Sequence, residues 1–210
     1  MAAVATIVAT APMAMAQQRE KEPIGKFVAD VRAAMPRFPD DPSTVSALSV
    51  TDDNMPGRGF GLAFAAHVYP FRLGKVTFGF GAEFLNSHAS NTLEPTTSGG
   101  AAGPTVETHF TTFSPQMSLN FGSRMGWSYL SVGLGRASFT TERKDAPVAD
   151  ATSNPGVLNY GGGARWFAKE HLAFTFDIRF YRLDPQDAAV GRPAYGGRKI
   201  TVLSAGISVK

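Results

Sequence analysis

The sequence predicts an all-β protein: an eight-stranded antiparallel up-and-down β-barrel, transmembrane by its strands. Three observations predict it. Bulky apolar residues alternate with glycine, small polar residues or charges in eight separate stretches, and a period of two is the period of a strand. The connections between these stretches run long, short, long, short, long, short, long, so all tight turns gather at one end and all long loops at the other, as in a barrel that crosses a membrane. Beyond the N-terminal region, no stretch approaches the ~20 apolar residues of a membrane-crossing helix.

The chain has 210 residues and no cysteine. One domain is expected, with no disulfide framework, thiolate metal site or cysteine nucleophile. A net charge of +3, dispersed and without a basic run, argues against nucleic acid as a partner. The start, MAAVATIVATAPMAMAQQREKEP, has an apolar segment from Ala2 to about Ala11 and then Ala14, Met15 and Ala16 before Gln17. That small-x-small pattern reads as a secretory signal peptide over 1–16, although a positive leading region is missing. Residues 17–23 read as a linker, and 24–210 as the barrel domain.

Strand one lies in GKFVADVRAAMPRF, with Phe27, Ala29, Val31 and Ala33 on one face and Val28, Asp30 and Arg32 on the other. FPDDPSTVSALSVTDDNMPGR carries loop chemistry and no clear period. Strand two, GFGLAFAAHVY, sets Phe60, Leu62, Phe64, Ala66 and Val68 opposite Gly59, Gly61, Ala63, Ala65, His67 and Tyr69. After the break PFRLG, strand three, KVTFGFGAEFLN, sets Val76, Phe78, Phe80, Ala82 and Phe84 against Thr77, Gly79, Gly81 and Glu83. A long loop rich in small residues leads to strand four, HFTTFSPQMSLNF, where Pro115 points to an edge or bulge. The GSRMG turn and strand five, WSYLSVGLGRASFTT, follow; Arg136 stands there on the apolar parity, at a bulge or at lipid headgroup level. Strands six and seven form the hairpin YGGGARWFAKEHLAFTFDIRFY, turning at AKEH, and RKITVLSAGISVK is strand eight.

Taken together, one face is Phe, Leu, Ile, Val and Met, and the other is Gly, Ala, Ser, Thr and a few charges. A soluble, lipocalin-like barrel would turn the glycines outward, where they weaken a strand and gain nothing. A membrane barrel turns them into a narrow lumen and gives the bulky face to acyl chains. The apolar face is therefore read as the outside.

The lumen face then holds Asp30, Arg32, His67, Glu83, Arg165, Asp177 and Arg179. Three acids and three arginines in so narrow a space are expected to pair, since an unpaired buried charge is costly. They read as a plug that fixes register; the other reading is a gated polar pathway. Tyr69, Trp127, Tyr129 and Trp166 lie beside the short turns and are read as an interfacial aromatic belt. His88 and His109 sit at the feet of the second long loop, on adjacent strands and on the same parity, with Glu107 close by; they are zinc-ligand types, but without a short-range ligand pair they read as exposed loop residues and no metal is expected. No nucleophile-base constellation stands out, the neighbours Ser87 and His88 included, so no enzyme is expected. No helix follows the glycine clusters to make a phosphate loop, and no cofactor is expected.

The pattern GGGARWF, a short turn, then HLAFTFDIRFYR resembles the penultimate hairpin of small outer-membrane β-barrel proteins of the OmpA-like and OmpW-like kind, and the layout of 24–210 matches theirs. The resemblance implies a bacterial outer-membrane location, with short turns in the periplasm and four long loops outside the cell. The chain departs from that pattern at its end, Ser208-Val209-Lys210, where such barrels usually finish on an aromatic. The expected function is an integral outer-membrane protein with a structural or surface-contact role; the alternative is a narrow channel or small-ligand-binding barrel. Outer-membrane lipid and a surface ligand of the long loops are the expected partners, and a monomer the expected state.

Overall fold

The computed structural model describes residues 22–92, 103–145, 154–189 and 194–210. The segment read as a signal peptide, and all but the end of the linker after it, lie outside the described residues. The strands are β1 (Phe27–Arg37), β2 (Phe60–Leu73), β3 (Val76–Thr92), β4 (Thr105–Ser123), β5 (Gly126–Arg143), β6 (Gly156–Phe167), β7 (Leu172–Leu183) and β8 (Arg198–Val209). Each pairs antiparallel with the next, and β1 pairs with β8 from Ala29↔Val209 to Arg37↔Thr201, closing the barrel. Closure removes every free sheet edge, which is what allows strands to lie in hydrocarbon.

The alternation in sequence is realised as alternation in exposure. Phe60, Leu62, Phe64 and Val68 of β2, Phe113, Met117, Leu119 and Phe121 of β4, and Phe174, Phe176 and Ile178 of β7 all face outward. Between them on the same strands, Ala63, Ala65 and His67, then Ser114, Gln116, Ser118 and Asn120, then Thr175, Asp177 and Arg179 are buried. This is the inverse of a soluble barrel, and it makes lipid the matching solvent.

Four features depart from the sequence reading. β2 runs through PFRLG to Leu73, absorbing one residue in a bulge between Val68 and Phe71 and turning only at Gly74 and Lys75. Gly74 has φ +59°, the left-handed conformation that a two-residue hairpin turn favours in glycine. β3, β4 and β5, of 17, 19 and 18 residues, exceed the ~9–11 that span a bilayer, so this sector projects beyond the membrane on the long-loop side. Pro115 causes no slip: β4 keeps one register with β5 on either side of it, and Arg136 consequently faces outward above Leu134 without a bulge.

The fourth departure is a helix. The first long loop, which shows no period in sequence, contains α1 (Pro42–Leu48) and a 3-10 turn, Asp52–Asn54. Asp41 caps α1 by accepting from Ser43 N at 3.2 Å and Thr44 Oγ1 at 2.8 Å, and Pro42 stands at its first position, where its missing N–H costs nothing. Seven residues are too few to stand alone as a helix, and packing of Thr44 and Leu48 against the barrel holds it.

Candidate functional site

Inside the barrel the residues form three layers. At the short-turn end Ile24, Val28, Tyr69, Trp127, Tyr129, Phe167 and Ala173 make an aromatic floor, with Trp127 stacked on Phe167 at 5.1 Å and edge-on to Tyr69 at 6.0 Å. Glycines give these rings their space: a Cβ on Gly79 would stand 2.8 Å from the Tyr69 ring, and one on Gly163 2.7 Å from Tyr129 Oη.

This corrects the aromatic belt read from the sequence. Tyr69, Trp127 and Tyr129 are only 7%, 3% and 3% exposed, whereas Trp166 is 59% exposed. Proximity to a turn suggested an interface, but strand parity decides direction. The alternation that sends Phe60 to Val68 and Leu130 to Leu134 outward sends the other three rings into the lumen.

The middle layer is ionic. Asp30, Arg32, His67, Glu83, Arg165, Asp177 and Arg179 all lie inside the barrel, each at most 4% exposed. Arg32 of β1 pairs with Glu83 of β3 and stands 3.1 Å from Asp177 of β7. Arg179 places Nε 3.0 Å from both carboxylates. Tyr129 donates to Asp177 at 2.6 Å and Tyr181 donates to Glu83 at 2.6 Å. On the other side, Arg165 of β6 makes a two-point pair with Asp30 of β1, which also accepts from Ser208. The Arg165 guanidinium lies 4.2 Å from the Tyr129 ring centroid.

Three arginines against three carboxylates balance the charge, and the bridges other than Arg179–Asp177, which lies within β7, run across the lumen between strands that are not neighbours. Arg32 Nη1 and Arg179 Nε sit in ion-pair range without a hydrogen bond, and Arg32 Nε and Arg179 Nη1 have no hydrogen-bond partner among the described residues. His67 stands apart: neither ring nitrogen has a hydrogen-bond partner among the described residues.

The third layer, at the long-loop end, is apolar and was missed by treating the inner face as small and polar. Ala34, Phe38, Leu85, Phe110, Phe139, Val157, Leu183, Ile200 and Val202 form one cluster there, with Phe38 edge-on to Phe110 at 6.4 Å and to Phe139 at 6.0 Å. The signal lay in the sequence, in large apolar residues falling on the inward parity near strand ends. α1 lies over this layer: Asp41 pairs with Arg198, and Arg143 donates to the carbonyls of Leu48 and Ser49 at 3.5 and 3.3 Å.

On the outer surface His88, His109 and Glu107 are not loop residues but strand residues of β3 and β4. Both histidine Nε2 atoms stand 3.6 Å from Glu107 Oε2.

No protein-family model matches the sequence. No curated protein matches it either. Solved structures do. Neisserial surface protein A is 14% identical, with a TM-score of 0.54 over 88% of this chain and 96% of that one. Ail, the attachment invasion locus protein of Yersinia pestis, is 13% identical over 88% of this chain and 99% of its own, at a TM-score of 0.47. OprG of Pseudomonas aeruginosa is 12% identical over 90% and 97%, at 0.46. Identities this low carry the fold alone, and the fold agrees with what closure, apolar exterior and charged interior establish by themselves. The chain is a transmembrane β-barrel of eight strands with the fold of the small bacterial outer-membrane proteins.

Proposed function

We propose that the protein is a non-enzymatic, monomeric integral barrel of the bacterial outer membrane, with a closed lumen and a structural or surface-contact role. One observation carries the reading: charge pairs that reach from β1 to β3, β6 and β7 across the lumen. Eight strands enclose a space only just wide enough for side chains, and here the apolar layer and α1 lie above the ion pairs. What is left to meet other molecules is the outside. The apolar belt meets acyl chains, and outward cations above it, Arg136, Arg182 and Lys199, stand where lipid headgroups begin. The prolonged β3–β5 sector and the long loops supply the contact surface for a ligand outside the cell.

Fractionation and planar-bilayer recording test this. The protein is expected in the outer-membrane fraction, to migrate differently on gels before and after boiling, and to give no stepwise conductance. Regular single-channel steps would overturn the closed lumen in favour of a narrow channel. That second reading has its own support, since buried polar atoms of His67, Ser131 and Thr175 have no hydrogen-bond partner among the described residues, and buried groups of this kind are satisfied by water.

A further inference from the structure

Above the belt, the outward positions of β3 and β4 change from apolar to polar. Beyond Phe84 they are Asn86, His88 and Ser90; before Phe113 they are Thr111, His109 and Glu107. Register sets His88 directly opposite His109, with ring centroids 4.6 Å apart. Glu107 lies two residues before His109, which on a strand is the same face. The short-range ligand pair that the sequence lacked under a loop reading is therefore present as Glu-x-His on one strand.

Zinc ligands at about 2.0–2.2 Å in a tetrahedron stand about 3.3–3.6 Å from one another. Two of the three edges here, from Glu107 Oε2 to each histidine Nε2, are already 3.6 Å. All three ligand atoms lie within 4.8 Å of each other. The histidine side chains are 47% and 50% exposed, so rotation of the rings closes the remaining edge without moving the sheet.

We propose that His88, His109 and Glu107 form a zinc site on the outer face of the projecting β3–β4 hairpin, independent of the lumen and of any role assigned to it. Two imidazole nitrogens and one carboxylate suit Zn²⁺, Cu²⁺ or Ni²⁺ rather than Ca²⁺ or Mg²⁺, which prefer oxygen. Three protein ligands leave a position open, and it faces away from the barrel, toward water or a donor on another molecule. The histidines stand four residues beyond Phe84 and Phe113, about 13 Å along the strand at ~3.3 Å per residue, with Phe60 of β2 opposite His88 at the upper edge of the apolar face. Lys144 is the competing cation, with Nζ 3.0 Å from Glu107 Oε2 and 2.8 Å from Glu142 Oε1. An arriving metal releases it from Glu107, and Glu142 retains it.

The test is calorimetric titration of zinc chloride into the untagged, refolded barrel in detergent, with folding of every variant checked by heat-modifiable migration. One ion per chain is expected, with affinity falling at least about tenfold in H88Q, H109Q and E107Q, and unchanged in H171N at the opposite end. Cobalt(II) is expected to give a visible absorption band that the same three variants abolish. Absence of saturable binding would overturn the site, as would binding that H88Q and H109Q leave intact or that H171N removes.

Discussion

Asp177 faces both Arg32 and Arg179 and accepts a hydrogen bond from Tyr129, so its removal leaves two guanidinium groups with only Glu83 between them and one buried positive charge in excess. Asp177→Ala and Arg179→Ala are each expected to destabilise the barrel by about 3–5 kcal/mol, the cost of breaking one side of a buried pair. Urea unfolding in lipid vesicles reads this directly, and wild-type midpoints would contradict it. Gly81 is a second sensitive residue, because a Cβ there would stand 2.0 Å from the Ala66 carbonyl and 2.6 Å from the His67 ring. Gly81→Ala should cost about 1–3 kcal/mol through overpacking, measured in the same assay. The inward turn of Trp127 is testable by quenching with brominated lipids. A Trp127→Phe protein, which keeps only Trp166, should be quenched strongly, and a Trp166→Phe protein weakly; equal quenching would return Trp127 to the interface.

Among the elements, α1 owes its place to three anchors: its Asp41 cap, the Asp41–Arg198 pair, and the carbonyls that Arg143 engages. Partial burial raises the Asp41 carboxyl, but hydrogen bonds from Thr44 and Ser43 and the charge of Arg198 outweigh it and hold the group below the usual carboxylate range. A depressed carboxylate contributes stability above its unfolded value, about pH 3.9, and loses that contribution as pH falls through the folded value. Protection of amides 43–48 relative to their intrinsic exchange rates should therefore fall below about pH 4, and Asp41→Asn should remove that dependence. Unchanged protection at low pH would mean the apolar contacts of Leu48 hold the helix alone. The same element shows the limit of reading by period. FPDDPSTVSALSV has no helical stripe because only Thr44 and Leu48 of α1 are buried, and a helix this short is formed by its caps and its seat rather than by its pattern.

For the whole molecule, closure turns a repeated local pattern into a single inside and outside. Legible in the linear pattern were the strand count, the alternation of long and short connections, and the outward apolar face. Each of these follows from a period of two, which is local, and from the rule that lipid accepts only strands without a free edge. Parity, followed strictly, would also have placed Tyr69, Trp127 and Tyr129 inside, since they alternate with residues already assigned to lipid. Tertiary structure decided what depends on distance across the lumen or on strand length. It decided which arginine meets which carboxylate, because Arg32, Glu83 and Asp177 come from strands that never pair. It decided the apolar layer under α1, which needs all eight strands and a loop to converge. It also decided the register that sets His88 against His109 and both within reach of Glu107, since β3 and β4 continue where the sequence turns polar and its alternation no longer carries a hydrophobic signal; the sequence placed the histidines only on adjacent strands and one parity. The physical reason is the same in each case: a strand's period fixes the face a side chain occupies, while its partners are fixed by register and closure, which involve the whole chain.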